Sequence, residues 1–241
     1  MGDREYLQTE LEIGKMNKLL IATNNQGKVA ELRALLYDLP AQLVTPSEIN
    51  LNLDVSEDGK TYAENAEKKA LAFAEASGLV SMADDSGLEV DALNGAPGLY
   101  SARYGPPLFL SEISPKLEEG RRGPSDADRR AYLLENLSGK PRPWMARFRA
   151  TIAIAVPDQK VQLTEGECRG EVIPEERGTG GFGYDPIFFI PELNRTMAEL
   201  GMDDKNRVSH RARAIMNAKP YLIKIFDLTS SIGSYHRSSK P

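Results

Sequence analysis

Lys18-Leu-Leu-Ile-Ala22, then Thr23-Asn24-Asn25-Gln26-Gly27, then Lys28-Val-Ala-Glu31-Leu32 is the stretch that decides the fold. The first run is short and apolar, which suits a buried strand. The middle five residues are turn chemistry. Val29, Leu32, Leu35 and Leu36 then recur at helical spacing until Pro40 stops the pattern. The order is strand, polar loop, helix.

Working outward, Thr61-Tyr-Ala-Glu64 is a capping box that opens an alanine-rich helix ending near Ser77-Gly78. Leu79 to Ala83 reads as a second strand that ends in Asp84-Asp85-Ser86-Gly87, and Leu88 to Leu93 as another. Gly95 to Gly123 is rich in Gly and Pro and carries the acidic-then-basic run Glu118 to Arg122. Ser125-Asp-Ala-Asp128 caps a helix bearing Ala131, Leu134 and Leu137. Phe148 to Val156 and Val161 to Thr164 flank Pro157 to Lys160 and read as a hairpin. Gly178-Thr-Gly-Gly181 is a glycine-rich loop before the apolar strand Ile187 to Ile190, and a last helix is expected from about Ser209 to Phe226. These elements predict an α/β fold around a mixed, strongly twisted sheet. Residues 17–228 are expected to form the domain, with 1–16 a polar extension and 229–241 a flexible tail.

The chain has 241 residues and a net charge of −5, so no general positive field attracts nucleic acid or an acidic membrane. A polyanionic substrate needs a local basic site. Cys168 is the single cysteine, which excludes an internal disulfide and fits a reducing cytoplasm. No apolar run approaches the roughly 20 residues of a membrane span.

Five places can carry chemistry. Thr23 to Lys28 set hydroxyl, amide and backbone N–H groups at a helix N-terminus, where an anion is favoured. Its glycine pattern is not that of a P-loop, and the alternative is a capped helix with a solvated lysine. Asp84 and Asp85 are adjacent, and neighbours on a strand face opposite ways, so they have different tasks. Hard carboxylate oxygens suit Mg²⁺, while an Asp-Ser-Gly turn is the rival reading. Glu57 precedes the capped helix and either complements its dipole or supplies a second metal carboxylate. In Gly178 to Pro186, the glycines allow close backbone approach to a flat ligand, and Phe182 offers a ring to stack on a purine. The alternative is a tight hairpin with a core Phe. Lys205, His210 and Arg211 place cations at the expected start of the last helix, where the dipole disfavours them. That cost implies a compensating anion or ligand, against the alternative of a solvated basic face.

TNNQGKVAEL, EDGKTYAENA, ADDSGLEVDALNGAPGLYSARY, GTGGFGYDPIFF and SHRARA occur in one order between Asn17 and Tyr221. Together they resemble the inosine triphosphate pyrophosphatase family, the dITP/XTP pyrophosphatases. The resemblance implies an elongated two-lobed α/β fold with a nucleotide cleft between lobes, and a cytoplasmic homodimer. It implies hydrolysis of ITP, dITP and XTP to nucleoside monophosphate and pyrophosphate with Mg²⁺. By motif, Thr23, Asn24, Asn25, Gln26, Gly27 and Lys28 would hold the triphosphate, and Lys28 would stabilise developing charge. Glu57 and Asp85 would bind Mg²⁺, with Asp85 also the general base. Ser86 would contact substrate, while Phe182, Gly183, Tyr184, Asp185, Lys205, His210 and Arg211 would form the base pocket. The rival readings are a pyrophosphatase for modified or pyrimidine nucleotides and a nucleotide sensor without turnover.

Overall fold

A computed structural model describes residues 17–106 and 123–237, with 228–237 as backbone only. The expected extension 1–16, most of the Gly/Pro-rich segment and residues 238–241 lie outside the described residues. The strands are β1 (Lys18–Ile21), β2 (Gln42–Val44), β3 (Val80–Val90), β4 (Trp144–Ala155), β5 (Gln162–Val172), β6 (Phe188–Ile190) and β7 (Arg195–Thr196). The helices are α1 (Gln26–Leu35), α2 (Tyr62–Ser77), α3 (Asp126–Leu137), α4 (Met202–Val208) and α5 (His210–Arg237).

The strands form one mixed sheet in the order β2-β1-β3-β4-β5-β6-β7. β1 is parallel to both β2 and β3, with Leu19 opposite Val80 and Ile21 opposite Met82. Such a strand is covered on both faces, so Leu19, Leu20 and Ile21 are all buried and the sequence reads as an unbroken apolar run. β5–β6 and β6–β7 are antiparallel. The mixed α/β expectation holds.

The chain divides into two compact units. Unit 1 runs to Asp85 and adds Thr151–Glu165 and the residues from Ala214 onward. Its core sets Leu20, Val44, Leu79 and Ala153 against the face of α2 that carries Phe73 and three alanines. Ala66, Ala70 and Ala74 are those alanines, and their small side chains let the helix lie close to the sheet. Unit 2 comprises Ser86–Ala150 and Gly166–Arg213. It is built on Leu88, Leu133, Leu137, Phe148, Phe188 and Ile190.

Several expectations need correction. β3 does not stop at Asp84 but continues through Asp84-Asp85-Ser86-Gly87 to Val90, and Asp91–Leu93 is a 3₁₀ turn. Turn-forming residues stay in the strand because tertiary partners satisfy both carboxylates. β4 begins at Trp144, and β6 at Phe188 after a 3₁₀ turn over Asp185–Ile187. The last helix does not end near Phe226. Its backbone continues to Arg237, with no proline after Pro220 to break it. α4 was not visible in the sequence because Met-Asp-Asp-Lys-Asn-Arg-Val has no apolar period.

Candidate functional site

In unit 1, the loop after β1 caps α1 with its own side chains. Asn25 is the N-cap, and its Oδ1 accepts from the Lys28 N–H at 3.0 Å. Thr23 Oγ1 accepts from the Asn25 N–H at 3.2 Å, and Gln26 Nε2 donates to the Asn24 carbonyl at 3.4 Å. Asn24, Asn25 and Gln26 are exposed, while Thr23, Gly27 and Lys28 are half-buried. No acidic residue occupies the first turn of α1, so its positive end has no side-chain counterion in its own sequence.

Lys28 is not a solvated lysine. Its Nζ donates to Asp84 Oδ1 at 2.6 Å and to the Asp84 carbonyl at 3.2 Å. The Asp84 side chain is wholly buried, so this pair fixes the lysine against β3. Asp85 takes a different partner, as alternation along a strand requires. Its Oδ2 accepts from Asn65 Nδ2 at 3.0 Å, while Asn65 Oδ1 accepts from the Gly59 N–H at 2.8 Å. A carboxylate cannot donate and an amide N–H cannot accept, so the two bonds fix which way the Asn65 amide points. Burial pushes the Asp85 carboxyl above its ordinary value, and the nearby negative charge of Glu57 pushes the same way. Lys28, the Asn65 hydrogen bond and Lys69 pull against them. Glu57 Oε1 is ion-paired with Lys69 Nζ. Glu57 and Asp85 therefore lie in one another's field, flanked by two lysines.

The motifs of the sequence do not single out Asn65 and Lys69. They lie four residues apart on α2 and so share a face, and that polar pair beside the alanine stripe was the available signal.

In unit 2, Asp185 organises the glycine-rich loop. Its Oδ2 accepts from the Phe182 N–H at 2.9 Å and from Lys205 Nζ at 2.7 Å. Only 7% of the Lys205 side chain and 6% of the Asp185 side chain are exposed, so the ion pair is buried. A Cβ on Gly181 would come within 2.0 Å of Asp185 Oδ2, at a φ of +72°, so both space and backbone demand glycine there. The Phe182 ring is half-buried, with Lys205 Nζ 5.3 Å and Arg211 Cζ 5.7 Å from its centroid. Tyr184 is a core residue whose hydroxyl donates to the Ser101 carbonyl at 2.9 Å. Gly183 is held by α3: its N–H donates to Asp126 Oδ2 at 2.6 Å and its carbonyl accepts from Arg130 Nη1 at 2.9 Å.

Arg211 is buried and donates from Nη2 to Ser86 Oγ at 3.0 Å. The His210 ring stacks on Phe148 at 4.8 Å and 15°. The sequence pattern puts Lys205 at the start of the last helix, where its charge is unfavourable. It belongs instead to the last turn of α4, the end where a cation is favoured. His210 and Arg211 do open α5, and contacts within unit 2 engage both.

Among the described residues, no group of three or more His, Cys, Asp and Glu side chains is placed to hold a metal, and no helix is long and apolar enough to cross a membrane.

Residues 19–221 match the Ham1 family model. A relative from Desulforamulus reducens called dITP/XTP pyrophosphatase is 48% identical over 210 residues, covering 87% of this chain and 97% of the relative. One of the same name from Geobacter sulfurreducens is 44% identical, covering 86% and 97%. Among solved structures, the Ham1 protein of Staphylococcus aureus superposes with a TM-score of 0.70 at 38% identity, covering 85% of this chain and 97% of that one.

Proposed function

The chain belongs to the Ham1 family, and from that premise we propose that it hydrolyses deaminated purine nucleoside triphosphates such as ITP, dITP and XTP to the monophosphate and pyrophosphate. The observation that carries the reading is the unit 1 cluster. Glu57 and Asp85 are set in one another's field between Lys28 and Lys69, in a chain whose relatives are called dITP/XTP pyrophosphatases.

The donor set fits a divalent cation, and Mg²⁺ in particular. Both groups are hard oxygen donors, and the like-charge pressure on Asp85 is relieved when a cation shares them. Mg²⁺ takes one or two carboxylates and completes its shell with water and substrate phosphates, so two protein ligands suffice. Held by Glu57 and Asp85, Mg²⁺ supplies charge neutralisation on the phosphate oxygens and a better pyrophosphate leaving group.

The protein's own groups do the rest. Asp85 takes the proton of the water that attacks the α-phosphorus. Asn65 fixes the carboxylate's orientation through Oδ2. Lys28, pinned by Asp84, presents its charge where negative charge develops, and the loop from Thr23 to Gly27 turns N–H groups and side-chain amides toward the phosphates. In unit 2, the Phe182 face stacks on the purine. His210 and Arg211 donate to the 6-keto oxygen that hypoxanthine and xanthine carry and adenine lacks, and Ser86, Gly183 and Asp185 complete the pocket, with Lys205 bracing Asp185. Tyr184 contributes through its backbone, since its side chain is in the core. The reading includes a cytoplasmic location, where the nucleotide pool is cleansed, and a homodimer, tested by sedimentation.

The experiment is pyrophosphate release from ITP, XTP, GTP, ATP and dTTP, with Mg²⁺ and with EDTA, beside Asp85→Asn. Mg²⁺-dependent release from ITP and XTP, lost in the variant, is expected. Preference for dTTP would replace the purine reading with a pyrimidine one, and binding without turnover would leave a sensor.

A further inference from the structure

We propose that Asp126 and Arg130, in the first two turns of α3, are positioning residues that set base preference by fixing Gly183, the residue after Phe182. The inference rests on the reading of Phe182 as the stacking residue.

Three backbone polar groups of Phe182 and Gly183 are tied by charged side chains. The Phe182 N–H is held by Asp185, the Gly183 N–H by Asp126 and the Gly183 carbonyl by Arg130. Asp185 belongs to the loop itself, but the other two come from α3, far along the chain. Hydrogen bonds to ionised groups are about twice as strong as neutral ones, so Gly183 is gripped at both its N–H and its carbonyl. Gly183 has a φ of +62° with open space where a Cβ would be, so backbone conformation alone calls for glycine there.

The gripping residues are themselves braced. Arg130 Nε and Nη2 donate to the two oxygens of Glu176 at 2.8 and 2.9 Å, a bidentate fork that leaves Nη1 aimed at Gly183. Arg129 Nη1 donates to the carbonyls of Ala102 and Pro124, each at 2.9 Å, and Arg129 also pairs with Asp126. Ser125 and Asp128 close a capping box on the same turn. Such bracing exceeds what capping a helix needs, and its output is the orientation of the two peptide groups that meet at Gly183. A stacking ring needs a fixed plane, and loss of either α3 contact lets that plane tilt while the carboxylates and lysines of unit 1 keep their partners.

The test combines hydrogen exchange of residues 178–186 with steady-state kinetics on ITP and dTTP. For Arg130→Met, faster exchange is expected in that segment, with KM for ITP raised roughly ten-fold, kcat little changed, and preference for ITP over dTTP reduced by a similar factor. Asp126→Ala should behave alike, whereas Asp126→Asn keeps an acceptor oxygen and should restore most of the preference. If Arg130→Met does not fold, Glu176→Gln loosens the fork from its exposed side and should shift preference the same way. Unchanged preference in a variant whose loop exchanges faster would overturn the proposal, as would unchanged exchange. If the unaltered protein releases no pyrophosphate from ITP, the functional reading fails, and the exchange measurement still decides whether α3 holds the loop.

Discussion

Replacing Lys205 with methionine tests whether the buried ion pair holds the glycine-rich loop. Methionine keeps the length and apolar stem of lysine and removes only the charged end. The Nζ–Oδ2 separation is 2.7 Å and neither side chain is more than 7% exposed, so little water can replace the lost cation. Breaking a buried pair by removing one partner costs about 3–5 kcal/mol, chiefly because a charge is stranded. Each kcal/mol lowers the melting temperature of a chain of this size by about 2–4 °C, so a fall of roughly 6–20 °C is expected. The double variant Lys205→Met/Asp185→Asn removes the stranded charge but keeps an acceptor for the Phe182 N–H. It should recover most of the loss, to within about 1–2 kcal/mol of the unaltered protein. Urea denaturation of the single and double variants supplies the cycle. A single variant within about 0.5 kcal/mol of the unaltered protein would refute the reasoning, because the pair would then be no constraint on the loop.

Gly181→Ala puts a Cβ against Asp185 Oδ2 at a positive φ, and should lower both stability and affinity for ITP, read by thermal unfolding and KM. Cys168 is buried and its thiol is pushed up to about 11, so alkylation at pH 8 should be negligible in the native protein and complete in denaturant; fast native labelling would contradict the packing. Arg33, with help from Thr45, holds the Glu48 carboxyl at about 2, below its ordinary 4.5. A depressed carboxylate stabilises the fold above its unfolded value and loses that contribution as pH falls toward its folded one. Glu48→Gln should therefore narrow the stability difference between neutral pH and pH 2, and an unaltered acid limb would count against the Arg33–Glu48 contact.

The sequence made β1, its polar loop, α1 and the capped α2 legible because each is set by local period and capping chemistry. Thr61 does accept from the Glu64 N–H, although the Glu64 carboxylate reaches back to Lys60 and not to Thr61. The run through Asp84 to Gly87 reads as a strand end because its residues favour turns in isolation. Lys28 and Asn65, distant in sequence, override that preference by satisfying the carboxylates. The separate duties of Asp84 and Asp85 followed from strand alternation, while the identity of their partners did not. Lys205 reads as the start of the last helix in the sequence because α4 carries no apolar stripe to announce it. Asp126 and Arg130 were invisible as loop holders, since nothing in one sequence links α3 to Gly183.

The most direct test of the central claim is turnover of ITP and ATP in ¹⁸O-labelled water. Water activated by Asp85 and attacking the α-phosphorus predicts ¹⁸O in IMP, unlabelled pyrophosphate, and little turnover of ATP. Label in the pyrophosphate, release of IDP with orthophosphate, or equal turnover of ATP would contradict the account.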